Sequence, residues 1–125
     1  MTDPFRLDGR RALVTGANTG IGRAIAEALA AAGAEVLAAG RSSCDDTVAA
    51  IERAGGKARA VHLDFADPMA GGPVIEAEGP LDILVNNAGI IRRADSVDFT
   101  EADWDDVIDV NLKALFFTCQ AFAKA

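Results

Sequence analysis

Four short apolar runs, at residues 11–15, 35–39, 57–63 and 81–86, are separated by segments whose apolar residues recur with a helical period. This alternation constrains the fold more than any other feature. Strands interleaved with helices at this spacing imply repeated βαβ units, hence an α/β fold: a doubly wound parallel sheet covered on both faces, with right-handed crossovers. Ile21, Ile25 and Leu29 recur every fourth residue among alanines, and Gly33 follows as a C-terminal cap, so residues 21–32 read as a helix. Val48, Ile51 and Ala54 share one face of a second helix over 45–54, stopped by Gly55-Gly56. Glycines and prolines interrupt residues 68–80, so only a short helix around Val74 to Glu78 is expected there. Gly89 to Phe99 reads as a polar loop. Thr100-Glu101-Ala102-Asp103 matches a capping box, after which Trp104, Val107, Ile108, Leu112, Leu115 and Phe116 keep helical spacing to the end of the chain.

The 125 residues fit one domain, since about 100–200 residues make a domain. Half are hydrophobic and a quarter charged, too aliphatic a balance for disorder. The net charge of −7 gives no general attraction to nucleic acid or anionic lipid, and the dense basic pairs are Arg10-Arg11 and Arg92-Arg93. No apolar stretch approaches the roughly 20 residues of a membrane span, and Met1 to Gly9 is too polar for a signal peptide. The expectation is therefore a cytoplasmic protein with neither nucleic acid nor membrane as partner. Cys44 and Cys119 lie far apart without metal-ligand spacing, and read as reduced thiols. A single His gives no Ser-His-Asp arrangement, and no metal cluster is expected; His62, Trp104 and Met69 read as packing or surface residues.

Thr15-Gly16-Ala17-Asn18-Thr19-Gly20-Ile21-Gly22 joins the first strand to the first helix. Glycines there permit a tight turn and close backbone approach, while the first helical N–H groups and the helix dipole suit a pyrophosphate. The spacing is Gly-x3-Gly-x-Gly, which departs from the generic Gly-x-Gly-x2-Gly fingerprint and leaves a purely structural turn as the alternative. Asn86-Asn87-Ala88-Gly89 closes the fourth strand at the sheet edge where open parallel sheets bind ligands; by itself it is equally a polar turn. Asp64, just past the third strand, lies at the same edge and is placed to accept from an adenine amino group.

Together, the Thr15–Gly22 loop, Asp64, the Asn86–Gly89 turn and Asn111 resemble the cofactor-binding half of the short-chain dehydrogenase/reductases. The resemblance implies a Rossmann-type fold, NAD(P)-linked hydride transfer and a homo-oligomer in full-length form. It implies that Gly16, Gly20 and Gly22 line the pyrophosphate, with Asn18, Thr19 and Ile21 contributing along the loop. Asp64 and Phe65 would flank the adenine, and Asn87, Ala88 and Gly89 the adenosine ribose. Asn111 would match the family's catalytic, helix-distorting asparagine, which supports a water in the proton relay. Within the family, residues 89–95 and 103–107 are similar to sugar-acid dehydrogenases named for 2-deoxy-D-gluconate or 2-dehydro-3-deoxy-D-gluconate. Arg92 and Arg93 could then hold a sugar-acid carboxylate; the alternatives are a solvated basic pair or a subunit contact.

Cofactor choice turns on the end of the second strand, where NAD-binding sheets present an acid to the ribose. Here the sequence is Ala39-Gly40-Arg41-Ser42-Ser43, with no acid to repel a 2′-phosphate and with Arg41 and Ser42 able to bind one, so NADP is favoured over NAD. The family pattern also requires a Ser and a Tyr-x3-Lys pair. The sequence contains no Tyr and stops at Ala125, within the last helix. It is therefore expected to be the N-terminal half of such an enzyme, with the sheet truncated after the fourth strand and following helix, and the 125 residues alone are expected to show negligible turnover. The unpaired edge of strand four and a phenylalanine-rich helix face would then invite association. The competing reading is a non-catalytic dinucleotide-binding module that needs a partner; an unrelated phosphate-binding α/β domain leaves the Asn86–Gly89 turn unexplained.

Overall fold

In the computed structural model, residues 3–125 are described; Met1 and Thr2, which begin the segment read as too polar for a leader, lie outside them. Strands β1 (Arg11–Thr15), β2 (Glu35–Gly40), β3 (Lys57–His62) and β4 (Ile83–Val85) form one parallel sheet in the order β3-β2-β1-β4. Ala12 pairs with Val36 on one side and with Ile83 on the other, so β1 is central. Side chains alternate across the pleat, and the two faces recruit different helices. Val14, Val36 and Ala38 pack with Ala26 and Ala30 of α1 (Gly20–Ala31) and Ile51 of α2 (Asp45–Arg53). Leu13, Leu37 and Ala39 face the other way, against Ile75 of α3 (Gly71–Glu78) and Ala114 of α5 (Ala114–Lys124). Cover on both faces explains why β1 and β2 read as continuous apolar runs rather than alternating ones. This is the parallel, doubly covered sheet expected from the pattern, in the Rossmann-type arrangement that the resemblance implies.

Several elements differ from the sequence expectation. The buried stripe of α1 is Gly22, Ala26 and Ala30, whereas Ile21 is 73% exposed and Ile25 and Leu29 are half-buried. Small residues let the helix lie close to the sheet, and the larger aliphatics flank the contact. Helix α3 starts three residues before Val74, because the first N–H groups of a helix need no intrahelical partner and Pro73 therefore costs nothing there. Gly71 is the contact point: a Cβ on it would overlap the Thr118 hydroxyl of α5. Strand β4 is three residues rather than six, and among the described residues it pairs only with β1.

The last helix is not uniform. α4 (Glu101–Ile108) passes through a π-helical turn, Asp109–Lys113, into α5. Thr100 caps α4, its hydroxyl accepting from the Asp103 amide at 3.1 Å. Thr100→Ala is expected to cost about 1 kcal/mol, read as a lower melting temperature. The expected phenylalanine face is only partly exposed. Phe122 joins the core beside Ile75, and Phe117 stands edge-on to Phe116 at 5.1 Å, leaving Phe116 57% exposed. No helix of the described residues is long and apolar enough to cross a membrane. Both thiols are free, Cys44 buried and Cys119 exposed.

Candidate functional site

The carboxyl ends of β1, β2 and β4 and the residues following β3 open on a cleft of about 700 Å³. Its floor is the loop between β1 and α1, where Gly16 and Gly20 have left-handed backbone (φ 63° and 58°). Gly22 is required for a different reason. A Cβ there would overlap the Gly16 carbonyl oxygen and the Asn87 side-chain amide, so α1 begins in direct contact with the loop it leaves. The Thr19 side chain makes no capping hydrogen bond, and the first turn of α1 holds no acidic residue. Backbone N–H groups and the positive end of the helix dipole therefore face the cleft unopposed, the environment that an anionic phosphate needs.

The β4 turn is fastened to this loop by three hydrogen bonds. The Asn87 and Ala88 amides both donate to Thr15 Oγ1 at 3.0 Å, and Asn87 Nδ2 donates to the Gly16 carbonyl at 3.2 Å. Thr15 in turn donates to the Val85 carbonyl at 3.3 Å. On the opposite side the fully buried Thr47 of α2 donates to the Ala17 carbonyl at 2.7 Å. These two threonines support the loop, and neither was singled out from the sequence as a site residue. Thr15 opens the loop motif read from the sequence without a role of its own there, and the Thr47 contact spans 30 positions and has no local signal.

Asn18, Thr19, Ile21, Arg41, Ser42, Asp64, Phe65, Asn87, Ala88 and Gly89 all border the cleft with Gly16 and Gly20. Gly22 sits behind it as the packing contact. Arg41 is exposed and, among the described residues, makes no ion pair, so its guanidinium has no competing carboxylate. One Asp64 carboxylate oxygen already accepts from the Ala66 amide at 2.9 Å, which orients the other. Phe65 is 7% exposed, its ring belonging to the core with Leu63 and Ile75. Burial, and then the Asp45 carboxylate, push the Cys44 thiol above its ordinary range, so it is an unreactive packing group.

The arginine pair is separated by the structure. Arg92 borders the cleft, with Nε 3.8 Å from Asp103 and Nη2 3.8 Å from Asp106, whereas Arg93 lies outside the cleft lining. Asp106 and Asp109 border the same rim, acids that the sequence reading had not assigned to the site. Asn111 lies in the π-helical turn and clamps the loop: its Oδ1 accepts from the Ile90 amide and its Nδ2 donates to the Ile90 carbonyl, each at 2.9 Å. In this chain Asn111 is thus a positioning residue for residues 89–92. Among the described residues no group of His, Cys, Asp or Glu is placed to hold a metal.

A family model described as short chain dehydrogenase matches residues 10–125. Gluconate 5-dehydrogenase of Gluconobacter oxydans is 47% identical over 128 residues, covering 98% of this chain and 50% of that protein. 2-Dehydro-3-deoxy-D-gluconate 5-dehydrogenase of Dickeya dadantii is 39% identical, covering 96% of this chain and 49% of that protein. Among solved structures, an NADP-bound protein of Agrobacterium tumefaciens, provisionally assigned as a 2-deoxy-D-gluconate 3-dehydrogenase, superposes with a TM-score of 0.94 at 64% identity, covering 98% of this chain and 50% of that one. A gluconate 5-dehydrogenase of Burkholderia cenocepacia in complex with NADP and tartrate gives 0.85 at 38% identity, again covering 98% and 50%. The chain spans about half the length of the relatives it matches.

Proposed function

The chain belongs to the short-chain dehydrogenase family, and from that premise we propose that residues 1–125 are the dinucleotide-binding half of an NAD(P)-dependent oxidoreductase that acts on a sugar acid or a related hydroxyl or keto substrate. The observation that carries this is the contact of Gly22 with the Gly16 carbonyl and Asn87, which sets the start of α1 directly against the glycine loop at the cleft. Such a cradle fits a pyrophosphate and excludes a side chain. When bound, the nicotinamide group supplies the hydride donor or acceptor.

In this reading Gly16, Gly20 and Gly22 let the backbone approach the pyrophosphate, with Asn18, Thr19 and Ile21 beside it. Arg41 and Ser42 hold a 2′-phosphate, Asp64 and the Phe65 backbone flank the adenine, and Asn87, Ala88 and Gly89 border the adenosine ribose. NADP is favoured over NAD on the strength of Arg41, and two NADP-bound relatives support that choice. Asn111 holds Ile90 in place and, in the complete enzyme, supports a water in the proton relay. The tyrosine that such a relay serves is absent from this sequence, so the 125 residues alone are expected to bind without turning over. The full-length enzyme is taken to be a cytoplasmic homo-oligomer.

Fluorescence titration with NADPH and NADH tests the reading. NADPH is expected to bind more tightly than NADH, and failure of the protein to bind either would overturn it. Turnover of sugar acids or polyols by the protein that contains this chain separates an enzyme from a non-catalytic binding module. For the substrate side, Arg92→Ala is expected to raise KM for an acid substrate about 10–100-fold, the worth of one charge-assisted contact, while leaving a neutral polyol unaffected. Arg93→Ala should change neither, because its side chain lies outside the cleft lining. Equal effects of the two substitutions would remove Arg92 from the carboxylate site.

A further inference from the structure

Position 40 ends β2, the place from which a sheet of this type presents a carboxylate to an unphosphorylated ribose. Gly40 stands there and borders the cleft. Its backbone is not left-handed, so conformation does not demand glycine. Space does. A Cβ at position 40 would lie 3.0 Å from the Ser42 carbonyl oxygen, 3.1 Å from Cys44 Sγ and 3.3 Å from Asn18 Oδ1. All three are inside ordinary van der Waals separation.

Of the three, the buried Cys44 side chain has the least freedom to yield, since Ser42 is exposed and Asn18 half-buried. The Ala17 amide donates to the Ala39 carbonyl at 3.0 Å, and the Ala17 carbonyl accepts from Thr47 at 2.7 Å. One residue of the glycine loop is thereby bolted to the end of β2 on one side and to α2 on the other. Cys44, immediately before α2, is buried in the core cluster with Val14, Ala38 and Ile51, and its carbonyl accepts from the Val48 amide at 3.0 Å. A close-packed interior gives a thiol in that position no vacant direction in which to move.

We infer that Cys44 is a specificity-determining residue: its buried side chain closes position 40 to the carboxylate that would hold an unphosphorylated adenosine ribose, and so commits the cleft to a 2′-phosphorylated dinucleotide. Arg41 attracts the phosphate; Cys44 blocks the alternative. The inference rests on the dinucleotide reading above. It also gives a function to a buried free cysteine that, among the described residues, belongs to no metal-binding group.

Wild-type, Gly40→Ala, Cys44→Ala and the double variant, together with Gly40→Asp with and without Cys44→Ala, are titrated with NADPH and NADH and melted. Gly40→Asp alone is expected to bind NADH no better than wild type, and adding Cys44→Ala to improve its NADH affinity by about tenfold, the worth of a charge-assisted hydrogen bond. Gly40→Ala is expected to melt lower than wild type, with Cys44→Ala restoring at least part of the loss. This alanine pair carries the test if Gly40→Asp does not fold. A gain in NADH affinity from Gly40→Asp alone that equals the double variant's, or independent effects of positions 40 and 44 on melting, would overturn the inference and leave the proposed function standing. Wild-type protein that binds neither dinucleotide would overturn the proposed function, and this inference with it.

Discussion

Gly22→Ala is expected to weaken NADPH binding by at least about 100-fold, a loss of roughly 2.7 kcal/mol or more. The new methyl would occupy the position of the Gly16 carbonyl oxygen and press on the Asn87 amide. Both are held: Gly16 lies in a left-handed turn, and Asn87 is tied by its own amide to Thr15. Relief requires α1 to move away from the loop, which separates the helical N–H groups from the backbone that completes the phosphate cradle. Overpacking of this kind costs about 1–3 kcal/mol in stability, so the melting temperature should fall by several degrees as well. Gly20→Ala is the control. A Cβ at Gly20 meets nothing within 4 Å, so its cost is only that of placing a side chain at φ 58°, on the order of 1 kcal/mol. If Gly20→Ala weakened binding more than Gly22→Ala, the contact behind the loop would not be what shapes the site.

Arg41→Ala is expected to lower NADPH affinity by about 10–100-fold and NADH affinity by less than about twofold, since a charge-assisted hydrogen bond is worth roughly 1.5–3 kcal/mol. The discrimination arises because Arg41 has no ion-pair partner among the described residues and would face only the extra phosphate. Raising the salt concentration should weaken NADPH binding to wild type more than to the variant, because Arg41 is exposed and therefore screened. Parallel losses for both dinucleotides would assign Arg41 to the loop's structure and remove the basis for preferring NADP.

The elements that local chemistry specifies were legible before the fold was known. β1 and the starts of β2, β3 and α2 fall where apolar runs and breakers place them, and Thr100 caps α4 as its spacing to Asp103 predicts. The site was legible as a set of loops, because an α/β pattern puts strand ends at one edge. Its internal distinctions were not. Gly16 and Gly22 are the same residue in sequence, yet Gly16 is needed for its backbone angle as well as for its approach to the Asn87–Ala88 turn, and Gly22 for contact with the Gly16 carbonyl and Asn87 alone.

Arg92 and Arg93 look interchangeable in the chain, but the clamp of Asn111 on Ile90 and the carboxylates of Asp103 and Asp106 hold only the first at the cleft. Ile21, Ile25 and Leu29 mark α1 by their period, but the helix packs through Gly22, Ala26 and Ala30, and Ile21 borders the cleft. The sequence by itself determined the alternating parallel α/β pattern and which loops end at the cleft edge of the sheet, because hydrophobic period, caps and glycine turns act over a few residues. Only the tertiary structure decided which glycine admits no Cβ, which arginine faces the cleft and which helix face is buried, because each depends on excluded volume and hydrogen bonds between segments brought together by the sheet.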